Sequence, residues 1–151
     1  MNKSSVRSTL RNPAWRGAAR LATVLAALAA GPALADGDAA RGEKSFKKCM
    51  ACHTVGEGQP SRMGPNLHNV FGRVVGSLDG FKYSKTYLAA RETGETWTPE
   101  KFLAFIENPR DVYTPSTMVI AIKDEQERKD LLAYLLTQSP GFAADGAARS
   151  D

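Results

Sequence analysis

The sequence predicts an all-α domain, and three observations carry that expectation. Four segments combine helix-forming residues with recognisable start and stop signals. No segment alternates apolar and polar residues over the length of a strand. Between Gly56 and Gly80, six glycines and two prolines leave no periodic stretch at all. A structureless run of that length normally counts against a globular domain. It becomes reasonable if the loops lie over a large apolar body that the chain does not itself supply.

Asp38 to Lys48 reads as the first helix. Ala39, Ala40, Glu43 and Lys44 favour it, Phe46 offers an apolar anchor, and Asp36 or Asp38 can cap its start. Gly42 inside it costs about 1 kcal/mol relative to alanine, which points to another helix crossing closely. Tyr83 to Arg91 is a second, short helix ending near Gly94. Thr98 as N-cap and Pro99 at the first helical position open a third. It runs through Phe102, Leu103, Phe105 and Ile106 and stops at Asn108-Pro109. The last helix starts at Asp124 and runs to about Gln138, with Leu131, Leu132, Leu135, Leu136 and Tyr134 as its buried stripe. Ser139-Pro140-Gly141 ends it, and the tail from about residue 140 to Asp151 reads as disordered.

The first 35 residues read as a cleaved signal peptide. Lys3, Arg7, Arg11, Arg16 and Arg20 form a basic leader without acidic residues. Leu21 to Ala30 is apolar but falls short of the ~20 residues that a membrane span needs, which counts against an uncleaved anchor. Ala33-Leu34-Ala35 is a small-x-small cleavage site, and the absence of an Arg-Arg pair favours the general secretory route. The mature chain is then residues 36–151, one domain by length. The whole chain has 20 basic and 16 acidic side chains, five of the basic ones in the leader. The mature part is therefore close to neutral, and the basic balance of the precursor implies no nucleic-acid binding.

Cys49-Met50-Ala51-Cys52-His53 carries the chemistry. Two cysteines at C-x-x-C spacing followed by histidine form the attachment signature of a c-type haem. Each thiol can add to a porphyrin vinyl group, and the adjacent imidazole can bind the iron from the proximal side. A thioredoxin-like dithiol wants a βαβ context that is missing here. A zinc site lacks its other half, since these are the only cysteines and His68 is the only other histidine. A disulfide within so short a loop has poor geometry. One haem c, covalent through Cys49 and Cys52 with His53 on its iron, is the expected cofactor. It would also be the missing core beneath the glycine-rich loops.

The opposite face of such an iron needs a second ligand, with Met50, Met63, Met118 and His68 as candidates. Met50 lies within the attachment loop, and Met63 is close in sequence to the proximal side. Met118 follows Pro115 in a loop far along the chain from His53, so a separate strap could cover each face. Met118 is the expected ligand, and a thioether there favours the reduced iron. Met118 as apolar filler, with a five-coordinate iron or His68 as ligand, is the competing reading.

Several blocks, in order, resemble class I cytochromes c, over about Asp38 to Thr137. They are Cys49 to Val55, Gly64-Pro65-Asn66-Leu67-His68, Phe71-Gly72-Arg73, Gly80 to Ser84, Trp97, Asn108-Pro109, and Lys123 to Arg128 before Leu131 to Leu135. The resemblance implies the cytochrome c fold: first and last helices crossing, with short helices and loops wrapped around one haem. It implies that the Pro65 carbonyl accepts from the His53 ring, and that Tyr83, Trp97 and Arg73 attend a haem propionate. It also implies that Gly42 and Phe46 pack against Leu131 and Tyr134. The chain departs from the family pattern at Pro115-Ser116-Thr117-Met118, one residue shorter and without a lysine, and Val119 to Ile122 is also short by one.

The function implied is electron transfer, not catalysis: a monomeric periplasmic carrier between respiratory or photosynthetic redox proteins. Lys47, Lys48, Arg62, Lys82 and Lys85 lie in segments that the family places around the haem edge, where they would steer docking to acidic partners. Two alternatives stand beside it. One is a dedicated haem subunit of a periplasmic dehydrogenase. The other is a five-coordinate protein acting as weak peroxidase or gas sensor, which lacks an evident distal histidine–arginine pair.

Overall fold

A computed structural model describes residues 37–142. The leader, its cleavage after Ala35 and the tail beyond Phe142 lie outside these residues. Five helices follow in order: α1 (Ala39–Phe46), α2 (Lys85–Glu92), α3 (Pro99–Glu107), α4 (Pro109–Val112) and α5 (Glu125–Thr137). Val74 and Thr96 pair in an isolated antiparallel bridge.

Local sequence explains the helix starts. Asp38 accepts from the Arg41 amide, Thr98 from that of Lys101 ahead of Pro99, and Asp124 from that of Glu127. Gly94 at φ +70° follows the end of α2, a left-handed position suited to glycine. Helix α4 was not expected. Asn108 turns the chain into extended backbone (φ −153°), and Pro109 then starts a new turn rather than only ending the old one.

Helices α1 and α5 make the principal crossing. A Cβ on Gly42 would lie 1.9 Å from the Asp130 carbonyl oxygen, so only glycine permits this approach. Phe46 packs its ring on Tyr134 with centroids 5.3 Å apart. Leu131, Leu132 and Leu135 are buried as expected; Leu136 and Tyr134 are only partly covered. At the crossing, buried Asp130 accepts from the Asp38 amide at 2.8 Å, from Arg41 Nε at 2.7 Å and from Gln126 at 3.0 Å. The ordered chain runs past the residue-140 boundary read from the sequence, because Phe142 is buried against Phe71 with ring centres 5.7 Å apart.

The Asp130 cluster gives a pH-dependent prediction. The Arg41 hydrogen bond, ahead of the amide and Gln126 bonds, holds the Asp130 carboxyl well below the usual carboxylate range. A depressed carboxylate stabilises the fold above its unfolded pKa of about 3.9, and that contribution disappears as pH falls through the lower folded value. Asp130→Asn is therefore expected to be less stable than wild type in guanidinium unfolding at pH 7. The gap should narrow steadily below about pH 4.

Candidate haem site

The attachment segment continues the end of α1. Cys49 N–H donates to Phe46 at 2.8 Å, and Cys52 and His53 both donate to the Cys49 carbonyl, at 3.0 and 2.8 Å. This winding presents both thiols and the imidazole to one cavity of about 580 Å³. Burial, ahead of the charge of Glu127, pushes the Cys49 thiol up to about 11, against a smaller opposing pull from Lys48. The thioredoxin-like reading wants a βαβ unit, and the described residues around these cysteines form helices and loops instead.

A strap from Arg62 to Leu67 crosses beneath the imidazole. Gly64 N–H donates to the Cys52 carbonyl at 2.8 Å, and a Cβ on Gly64 would lie 2.3 Å from His53 Cε1. The Pro65 carbonyl lies 2.8 Å from His53 Nδ1. A carbonyl only accepts, so Nδ1 carries the proton and Nε2 keeps its lone pair. Burial also lowers the His53 pKa, outweighing the Pro65 bond, and so favours the neutral imidazole that binds metals.

All eight residues singled out from the sequence meet in this cavity: Cys49, Cys52 and His53, Pro65, Arg73, Tyr83, Trp97 and Met118 line it. Arg73 and Trp97 are set opposite each other by paired backbone. Trp97 N–H donates to Arg73 at 3.0 Å, and Gly72 N–H to Trp97 at 2.9 Å. The Arg73 guanidinium donates to the carbonyls of Asn66 and His68, at 2.9 and 3.1 Å. It forms no ion pair with a carboxylate among the described residues, and burial lowers its pKa. An unpaired, half-buried cation on the wall of an apolar cavity suits an acidic group of a ligand.

The second-ligand candidates separate by position. Met118 and Met63 line the cavity; Met50 and His68 do not. Met63 is 77% exposed and precedes Gly64, which lies against the His53 ring. His68 lines a different, polar recess with Arg73 and Asp79. The strap bearing Met118 is fastened at its far end, where Ile122 N–H donates to Ile106 at 2.7 Å and buried Arg128 donates to the carbonyls of Ile122 and Lys123.

Two supports escaped the sequence. Buried Asn66 holds the strap beneath His53: its amide donates to Gly56 and Gln59 at 2.9 and 2.7 Å, and its Oδ1 accepts from the His68 amide at 2.6 Å. Asparagine after Gly-Pro reads only as a turn residue, so its hub role left no signal. Tyr87 lines the cavity and approaches Ser116 Oγ at 3.3 Å, which in turn accepts from the Met118 amide at 3.3 Å.

A family model described as Cytochrome c matches residues 39–139. The chain belongs to the cytochrome c family. Cytochrome c2 of Blastochloris viridis is 42% identical over 127 residues, covering 83% of this chain and 93% of that protein. Cytochrome c of Stellaria longipes is 39% identical over 103 residues, covering 66% and 92%. The solved structure of cytochrome c2 from Rhodospirillum centenum matches at a TM-score of 0.63 and 41% identity, covering 69% of this chain and all of that one. The all-α expectation and its cytochrome c fold hold. As a cytochrome c the protein carries a c-type haem through the Cys49 and Cys52 pair and passes electrons to and from redox partners. The cavity fits that group by its two converging thiols, its apolar walls and its unpaired Arg73.

Proposed function

We propose that this cytochrome c is a periplasmic one-electron carrier with His53 and Met118 on its iron, serving respiratory or photosynthetic partners. The observation that carries the reading is that Met118 shares the cavity with Cys49, Cys52 and His53, whereas His68 lines another recess. Likeness to cytochromes c2 supports it, and so does the leader-like first 35 residues.

Haem supplies an iron centre that accepts and releases one electron. The chain's own residues set the conditions for that. His53 is held as one tautomer by Pro65, so its ring does not rotate between oxidation states. Met118 offers a neutral thioether, which favours the reduced state. Arg73 offsets the charge of a propionate, while Tyr83 and Trp97 offer polar handles on the same wall. Phe46, Leu131 and Leu135 exclude water, which keeps the reorganisation on electron transfer small.

Docking would centre on Lys82, which lines the cavity mouth near exposed Met63 and Val119. Lys47, Arg62 and Lys85, which the family resemblance assigns to the same edge, would extend it. Lys48 contributes less than its sequence position implied, because it pairs with Glu127 at 2.7 Å.

A redox titration with the absorbance spectrum recorded at each step tests the proposal. The expected result is one single-electron transition, c-type haem bands, a weak near-infrared sulfur-to-iron band in the ferric state, and no response to low cyanide. Rapid cyanide binding without that band would overturn the carrier reading in favour of an open-iron sensor or peroxidase.

A further inference from the structure

The strap that carries Met118 has little backbone support of its own. Among the described residues, no backbone–backbone hydrogen bond holds the stretch between Tyr113 and Ile122. Ahead of Met118 it is also one residue shorter than the family pattern. Side chains must therefore help to fix where Met118 lies, and α2 supplies two. Thr86 Oγ donates to the Thr114 carbonyl at 3.5 Å. Tyr87 reaches Ser116 Oγ at 3.3 Å, and the same oxygen accepts from the Met118 amide at 3.3 Å.

Tyr87 is itself held firmly. Its ring centre lies 4.8 Å from that of Tyr113 and 6.0 Å from that of Tyr83. Tyr113 is buried, and its hydroxyl donates to Glu95 at 2.6 Å, which fixes that ring in turn. A Cβ on Gly76 would lie 2.4 Å from the Tyr87 carbonyl oxygen, so the backbone here is seated as closely as glycine allows. A side chain packed in this way loses little freedom when it makes its bond. A phenol donates more readily, and accepts less readily, than an alkyl hydroxyl. Tyr87 therefore donates to Ser116, whose other lone pair takes the Met118 amide.

We infer that Tyr87 is a positioning residue for the second iron ligand: its hydroxyl clamps Ser116, and Ser116 sets the Met118 backbone so that the thioether stays turned into the cavity. A thioether favours the reduced state, so ferric iron holds it less firmly than ferrous iron does. The clamp therefore matters most in the oxidised protein. There it keeps ligation the same in both states, which a carrier needs for small reorganisation. The inference rests on Met118 being the ligand, which the sulfur-to-iron band of untreated wild type reports separately. Absence of that band in wild type would sink both readings.

The test mixes ferric holoprotein with excess cyanide in a stopped-flow spectrometer. Cyanide enters only when the iron–sulfur bond opens, so its rate of binding reports that opening. Tyr87→Phe keeps the ring and removes only the hydroxyl. It is expected to bind cyanide about fivefold faster than wild type, the factor that one neutral hydrogen bond carries. Ser116→Ala should be faster still, because it loses both bonds. Adding Tyr87→Phe to Ser116→Ala should change nothing further, since the partner is already gone. Ser116→Thr, which keeps a hydroxyl, should bind at close to the wild-type rate. A merely structural Tyr87 would lower the guanidinium midpoint and leave the cyanide rate in buffer unmoved. A wild-type rate in Tyr87→Phe, or the same acceleration by Tyr87→Phe with and without the Ser116 hydroxyl, would overturn the clamp while leaving Met118 on the iron. Should Tyr87→Phe fail to fold, Ser116→Ala against Ser116→Thr decides, and equal rates there overturn the clamp.

Discussion

Replacing Met118 with alanine is expected to lower the midpoint potential by roughly 0.2 V, about a quarter of the ~0.8 V range over which axial ligands tune a haem. The direction follows from ligand chemistry. A thioether is a soft, neutral donor that stabilises ferrous iron, and its loss leaves water or nothing on that face. The near-infrared sulfur-to-iron band should vanish, and micromolar cyanide should bind within seconds. The fold should survive, because Met118 sits on a strap fastened independently at Ile122 and Arg128. Covalent attachment at Cys49 and Cys52 should be unaffected. An unchanged spectrum in the variant would remove Met118 from the iron and return attention to Met63, the other methionine lining the cavity.

Three of the helix starts were legible because each is written in a few adjacent residues, whereas α2 begins at Lys85 rather than Tyr83 and α4 had no such signal. Asp38, Thr98-Pro99 and Asp124 cap the helices that the sequence assigned to them. Gly42 was legible for another reason: a glycine inside a good helix has a cost, and the cost implied the crossing that Asp130 and Tyr134 provide. The convergence of His53, Pro65, Arg73, Tyr83, Trp97 and Met118 on one cavity came from the family resemblance, not from spacing. Nothing local says that His53 and Met118, so far apart along the chain, face the same space.

What the sequence withheld are contacts whose partners lie far apart in loops. Tyr113 and Glu95 are 18 residues apart and sit in segments with no periodicity to aim them. Buried Arg128 read as part of a charged run, yet it closes the Met118 strap by holding the Ile122 and Lys123 carbonyls. Ser139-Pro140-Gly141 correctly ended the last helix but hid the return of Phe142 onto Phe71, because a helix stop says nothing of where the chain goes next. His68 shows the converse: its residue type made it a ligand candidate, and only the fold turns it towards a different recess.

Gly42→Val is expected to destabilise the holoprotein by more than about 3 kcal/mol in guanidinium unfolding, beyond the usual range for an overpacked core. Even the first carbon of a side chain would lie 1.9 Å from the Asp130 carbonyl oxygen, 2.5 Å from its carbon and 2.8 Å from Tyr134 Cβ. A helix carbonyl cannot swing aside without losing its own hydrogen bond, so α1 and α5 must separate. Separation stretches the bonds from the Asp38 amide and Arg41 to Asp130, leaving a buried carboxylate short of partners. It also withdraws Leu131 and Leu135 from the cavity wall and admits water beside the haem. The sulfur-to-iron band should therefore be lost at lower denaturant than in wild type. Gly58 supplies the control: it has φ +66° and nothing within 4 Å of where a methyl carbon would lie, so Gly58→Ala meets only backbone strain of about 1–2 kcal/mol. If Gly42→Val proved no more harmful than that control, the tight approach of the two helices would not be what holds this fold around its cofactor.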